Sequence, residues 1–184
     1  AGVSFAMEGN YELEAGKKLD RGLLFVKDVS MPGVSVRGNG TKDDPFRVKS
    51  LEEFAAAVSK INTRGFMNYV MVDGSFSILE ENYTQIPTLR GKMTLCSSNP
   101  DEIEIYCPKN SVLFISGDDM ELVFEDIVIS GGGKDEYHNR AINVYGTDKS
   151  CGLITVNDGA VFKDFGYALS ASGCNVEVND GTFQ

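Results

Sequence analysis

Apolar and polar residues alternate along much of this chain in short runs. "LVFEDIVI" at 122 to 129, "ITVNDGAVF" at 154 to 162 and "VEVNDGTF" at 176 to 183 are the clearest. A period of two over four to six residues is the signature of a short half-buried strand. Leu122, Phe124, Ile154, Val156, Val176 and Val178 are then expected to face inward, with Glu121, Glu125, Thr155 and Glu177 facing out. The Asn/Asp-Gly pairs that close the last two runs read as corners, because Asn and Asp tolerate left-handed backbone and Gly is unstrained there.

A second phrase, apolar residues ending in glycine, is interleaved with the first: "LFISG" at 113 to 117, "INVYG" at 142 to 146 and "LSASG" at 169 to 173. Gly117, Gly146 and Gly173 are 29 and 27 residues apart, while Asp126, Asp158 and Asp180 are 32 and 22 apart. Short strands and corners with no helix-length segment between them fit either a hairpin sandwich or a solenoid. Strict alternation of the two phrases favours the solenoid, since a hairpin meander has no reason to bring like phrases back one turn apart. The expected fold is all-β, a parallel β-helix whose successive coils stack at about 4.8 Å. "YVMVDGSF" at 69 to 76 shortens the closing phrase by one residue, and "MTLCS" at 93 to 97 and "IEIYC" at 103 to 107 supply further strands.

One segment breaks the pattern. Ser50 followed by Glu53 forms a capping box, and Leu51, Phe54, Ala55, Val58 and Ile61 share a face at helical spacing. Gly65 supplies a stop signal. The spacing predicts an N-terminal amphipathic capping helix over 50 to 64, covering the apolar end and strand edges of the first coil.

"GNGTKDDPFRVKSLEEFAAAV" at 38 to 58 resembles the opening of right-handed parallel β-helix domains of the pectin-lyase-like superfamily, especially bacterial cell-surface and adhesin-like members. "GLITVNDGAVFKDF" at 152 to 165 resembles their coils. The resemblance spans 38 to 184 and implies a right-handed solenoid, with coils over about 66 to 184. It says little about activity, since the superfamily includes lyases, hydrolases, adhesins and inert stalks. Residues 1 to 37 fall outside it and are read as N-terminal strands or the end of a preceding domain. No terminal cap follows the last phrase, so the chain is expected to be part of a longer solenoid, open to self-association through its uncapped end.

Composition narrows the function classes. Seventeen Lys and Arg against 27 Asp and Glu give a formal net charge of −10, which argues against a nucleic-acid partner. No apolar run is long enough to span a membrane. "AGVSFAMEGN" at the start has no signal-peptide pattern, which leaves secretion open. Cys96, Cys107, Cys151 and Cys174 include no C-x-x-C pair and have one histidine for company, arguing against zinc. Cys151 and Cys174 are about one coil apart, compatible with a disulfide or with two buried thiols. Cys96 and Cys107 flank a turn and are a second candidate pair. A bridge at either place implies an oxidising compartment.

Candidate chemistry is thin. Asp126, Asp158 and Asp180 form a candidate Ca²⁺ ladder, against the simpler reading that each corner aspartate bonds its own backbone. No other cofactor is indicated. The longest insertion, 130 to 141, gathers Lys134, Asp135, Tyr137, His138 and Arg140, a candidate surface for an acidic sugar with Tyr137 as a stacking plane. Catalytic residues cannot be assigned. The reading is therefore a non-enzymatic extracellular or cell-surface module that binds a polysaccharide or host surface or serves as a rigid spacer. The alternative is a polysaccharide lyase or glycoside hydrolase of the same superfamily.

Overall fold

The structure, a computed structural model, describes residues 34–78, 86–109, 111–115, 120–133, 140–145 and 152–184. The chain divides into two units, Ala1–Gly33 and Val34–Gln184, and all the described residues belong to the second. Its elements in chain order are β1 (Phe46–Val48), α1 (Leu51–Ile61), β2 (Met67–Val72), β3 (Phe76–Ser77), β4 (Lys92–Ser97), β5 (Glu104–Cys107) and β6 (Val112–Ile115). There follow β7 (Glu121–Phe124), β8 (Val128–Gly131), β9 (Arg140–Tyr145), β10 (Leu153–Val156), β11 (Val161–Lys163), β12 (Leu169–Ser172), β13 (Asn175–Val178) and β14 (Thr182–Phe183).

These strands wind into a parallel β-solenoid of about four turns. One sheet runs β1-β2-β4-β7-β10-β13, a second β3-β5-β8-β11-β14, and a third β6-β9-β12. Every pairing between these strands is parallel. Because side chains alternate faces with a period of two, an in-register parallel stack places each inward residue above its counterpart in the next coil. In the first sheet one such column reads Phe46, Val70, Leu95, Phe124, Val156, Val178. The second contributes Phe76, Ile105, Ile129, Phe162 and Phe183. The phrases "VDGSF", "VNDGAVF" and "VNDGTF" occupy the same corner between these two sheets.

Phenylalanines from different walls meet along the core. Phe54 of α1 lies 5.7 Å from Phe76 and 5.6 Å from Phe114 between ring centroids. Phe114 meets Phe124 at 6.1 Å and Phe124 meets Phe162 at 5.1 Å, both edge to face. Phe162 then stacks on Phe183 at 5.3 Å. Each such contact adds roughly 0.5–1.5 kcal/mol beyond the burial of its apolar area. The series joins the helix to every sheet and runs to the last coil.

Leu122, Phe124, Ile154 and Val156 are buried as the alternation requires. Val176 and Val178 hold the same register on β13, yet both are exposed, Val178 by 52%. β13 has a strand on one side only, so its inner face is covered from one side. Thr155 departs from its outward assignment by being buried, at 8% exposure. It stands in a row between Val123 and Glu177, with a paired strand on each side of it. Thr94, in the same row between Tyr69 and Val123, is buried too.

The helix starts where the capping box places it. Ser50 is extended, and its hydroxyl accepts from the Glu53 N–H at 3.3 Å. Glu53 reaches one residue further back than the standard box, accepting from the Lys49 N–H at 2.9 Å. The Glu52 carboxyl is held below the usual carboxylate range by a backbone hydrogen bond and by Ser50, a contribution present above that range and fading as acid protonates it.

The C-terminal end differs from the 50 to 64 expectation: α1 closes at Ile61, and Gly65 is not its left-handed stop. Asn62 does the work instead. Its Nδ2 donates to the Thr88 carbonyl at 2.8 Å, and its Oδ1 accepts from the Arg90 N–H at 2.8 Å. The helix end is thereby tied to the entry of the next coil, a partner 26 residues away that local pattern does not reveal.

The loop before β1 wraps the same end. The N–H groups of Asn39, Gly40 and Thr41 converge on the Asp44 carbonyl at 2.9 to 3.2 Å, and the Asp44 N–H returns to Thr41 Oγ1 at 3.1 Å. Arg64 lies over the Phe46 ring at 4.8 Å and donates to the Asn39 carbonyl at 2.6 Å. Gly40 has a φ of +77°, and a Cβ there would meet the Phe46 ring at 2.6 Å. The "GNGTKDDPF" motif is thus a structural clasp on the cap.

Phe124→Ala removes a ring that touches two other phenylalanines and is expected to cost about 3–5 kcal/mol in chemical denaturation. Val178→Ala, on the exposed inner face of the last coil, is expected to change stability by less than about 0.5 kcal/mol.

Candidate functional site

The corner aspartates are part of the winding. Asp126 has left-handed backbone, φ 47°; its carbonyl accepts from the Ser97 N–H at 3.0 Å, and its N–H donates to the Asp158 carbonyl at 3.2 Å. Asp158 Oδ1 accepts from the neighbouring Gly159 N–H at 2.9 Å. Gly159 has φ +70°, and a Cβ there would lie 2.1 Å from Asp126 Oδ1. One coil on, Asn179 Nδ2 donates to Asn157 Oδ1 at 2.8 Å, an asparagine ladder in the direction of stacking. Among the described residues no three or more His, Cys, Asp or Glu side chains gather as a metal site. Asp126, Asp158 and Asp180, all described, therefore do not assemble the ligand group proposed from their spacing.

Of the insertion residues, Lys134, Asp135, Tyr137 and His138 lie outside the described residues. Arg140 opens β9, where its Nη1 donates to Asn143 Oδ1 at 3.3 Å. Cys174 is disulfide-bonded, and Cys151 lies outside the described residues. Cys96 and Cys107 are both free, which corrects their candidate pairing. The reason is orientation. Cys107 points into the core of the second sheet, whereas Cys96 lies on the first and donates its thiol to the Val70 carbonyl at 3.5 Å. Burial, then the charges of Glu125, Asp126 and Asp73, push the Cys96 thiol up to about 11, with Arg47 opposing. Burial alone pushes the Cys107 thiol up further.

A surface site forms elsewhere, on the outer face of the second sheet. The corner between β4 and β5 is longer than its counterparts, and "SNPDE" folds into a turn: the Glu102 and Ile103 N–H groups donate to the Asn99 carbonyl at 3.2 and 2.9 Å. Asn99 caps this turn, its N–H donating to Ser97 Oγ at 3.1 Å and its Nδ2 to Glu102 Oε2 at 2.8 Å. Ser75 of the preceding coil holds the turn in place, accepting from the Glu104 N–H at 3.0 Å and donating to the Glu102 carbonyl at 3.4 Å.

The raised turn forms one wall of a cleft of about 220 Å³, lined by Ser75, the 100–104 segment, Val128 and Lys163. Lys163 Nζ and Glu104 Oε2 pair at 2.8 Å across the intervening β8. Beside them the outward row reads Ser77, Tyr106, Ser130, Lys163, with Tyr106 40% exposed. Asp101, Glu102 and Glu104 against Lys163 leave the cleft with an excess of negative charge.

This face was not singled out in the sequence. The alternation that makes strands of "IEIYC" and the end of "GLITVNDGAVFKDF" also puts Glu104, Tyr106 and Lys163 outward. An exposed aromatic at an outward strand position was the available signal. Joining it to Lys163 requires the coil register, because 57 residues separate them. No family model, curated protein or solved structure matches this chain.

Gly159→Ala forces a Cβ into left-handed backbone and onto Asp126, and is expected to destabilise by more than about 1–2 kcal/mol. Gly65→Ala meets nothing within 4 Å and has no left-handed φ, so it is expected to be neutral or stabilising in the same denaturation assay. Cys96 and Cys107 are expected to resist a maleimide probe at pH 8 in the native protein and to label after denaturation, read by peptide mass spectrometry.

Proposed function

We propose that this chain is a non-enzymatic extracellular surface module, a stiff solenoid that carries a glycan-binding face. The observation that carries this reading is the polar cleft on the second sheet, together with the exposed ring of Tyr106 on the adjoining outward row that coil register sets beside it. Ligand faces built on regular strands are held more rigidly than those on loops. Cys174 in a disulfide and an acid-rich composition support an oxidising, extracellular setting at a cell surface. No helix of the described residues is long and apolar enough to cross a membrane. The "GNGTKDDPF" clasp and capping helix support kinship with adhesin-like members of the pectin-lyase-like superfamily.

Binding is favoured over hydrolysis or elimination by what two of the three cleft carboxylates already do. Glu104 is paired with Lys163, and Glu102 accepts from Asn99. A glycosidase must keep one carboxyl protonated and another free to act, and a β-eliminating enzyme needs an available base.

The test is a panel of neutral and acidic polysaccharides scored by affinity electrophoresis for retention, and by unsaturated-product absorbance and reducing-end release, with and without Ca²⁺. Retention without turnover is the expected result. Turnover would replace this reading with a polysaccharide lyase or glycoside hydrolase.

A further inference from the structure

Ser130 is only 4% exposed, and its Oγ has no hydrogen-bond partner. Buried hydroxyls are seldom left unmade, since such a group gives up its water without a replacement. Its neighbour Ile129 faces the core, so alternation turns Ser130 to the outer face. There it lies in register between Tyr106 on one side and Lys163 on the other. The hydroxyl is thus at the floor of a short row, with an exposed aromatic ring at one end and an ion-paired ammonium at the other.

Resting on the glycan-binding reading above, we propose that Tyr106, Ser130 and Lys163 form a subsite for a neutral sugar, spanning about two units of a glycan chain. Tyr106 and Lys163 are two strands apart, about 10 Å at sheet spacing, which is the reach of a disaccharide. Each group has one task. The tyrosine ring takes the apolar C–H face of one pyranose, as aromatic planes do in ligand sites that mix apolar surface with a few placed polar groups. The Ser130 hydroxyl, covered in the free chain, is reached when the flanking Tyr106 and Lys163 side chains turn onto the ligand, and then exchanges a hydrogen bond with a sugar hydroxyl, completing its missing partner. Lys163, already neutralised by Glu104, has donor N–H groups left for the second unit.

Charge selects the class of sugar. Asp101, Glu102 and Glu104 line the cleft at the Lys163 end of the row, and the whole chain carries −10. A uronate would bring a carboxylate against these groups, whereas a neutral hexose or pentose meets no such repulsion. The subsite therefore takes a ligand of opposite character to the acidic sugar expected from Lys134 and Arg140.

The experiment is titration calorimetry of the full chain with hexasaccharides of glucan, mannan and xylan, and with oligogalacturonate. Variants are Y106A, Y106F and S130A, with a thermal melt for each. At least one neutral hexasaccharide is expected to bind in preference to oligogalacturonate; Y106A is expected to weaken it by about tenfold or more and Y106F by less than about threefold. S130A is expected to weaken binding by about threefold or more while leaving the melting temperature unchanged or higher, because it removes an unsatisfied buried group. A purely structural serine would show the opposite pair of effects. Undiminished neutral-glycan binding by Y106A or S130A, or tighter binding of oligogalacturonate, would overturn the subsite and leave the glycan-binding reading standing. No binding of any oligosaccharide would overturn both.

Discussion

Parallel in-register stacking is the constraint from which the rest of this molecule follows. A parallel strand one coil away must present the same face at the same height, so a core position in one coil becomes a core position in all of them. The column from Phe46 through Val70, Leu95, Phe124 and Val156 to Val178 is that rule written in side chains. A slip of one residue in any strand would turn its apolar set outward, so burial itself maintains the register. The phenylalanine contacts that cross from wall to wall then bind three sheets into one core.

A stack of this kind must be started and turned without losing backbone hydrogen bonds, and separate devices serve each need. At the beginning, α1 covers the first coil with Phe54, Ala57, Val58 and Ile61, all fully buried. Asn62 and Arg64 anchor it through partners distant in sequence. At the corners, left-handed Asp126 and Gly159 and the Asn157–Asn179 ladder keep each coil seated on the last. Ion pairs such as Lys92 with Glu121 link adjacent strands outside, where solvent makes each worth little. Their part is to favour register more than to supply stability.

Since the inward positions are committed to packing, variation is left to the outer faces and the connections. The turn at 98 to 103 shows how a coil uses that freedom. A longer corner, locked by Asn99 and Ser75, raises a wall beside a flat face and creates a cleft without disturbing a single core column. Tyr106 and Lys163 are then set on one outer face by the same register that builds the core, and that face has the stiffness of the scaffold.

The amino-acid sequence by itself determined the strands, their alternation, the interleaving of two phrases and the start of the helix at Ser50. Each depends on neighbours within a few residues, where periodicity and turn chemistry act directly. It also determined the solenoid, because repetition of phrase order is visible along the chain. Tertiary structure decided what depends on the next coil. Asn62 ends α1 through residues 88 and 90 instead of leaving that task to Gly65, Thr155 is buried between two neighbouring strands, and Cys96 and Cys107 remain apart. The cleft belongs to the same group, since coil lengths varying from 22 to 32 residues hide which outward side chains become neighbours. Local pattern names the face on which a residue stands; stacking alone names its company there.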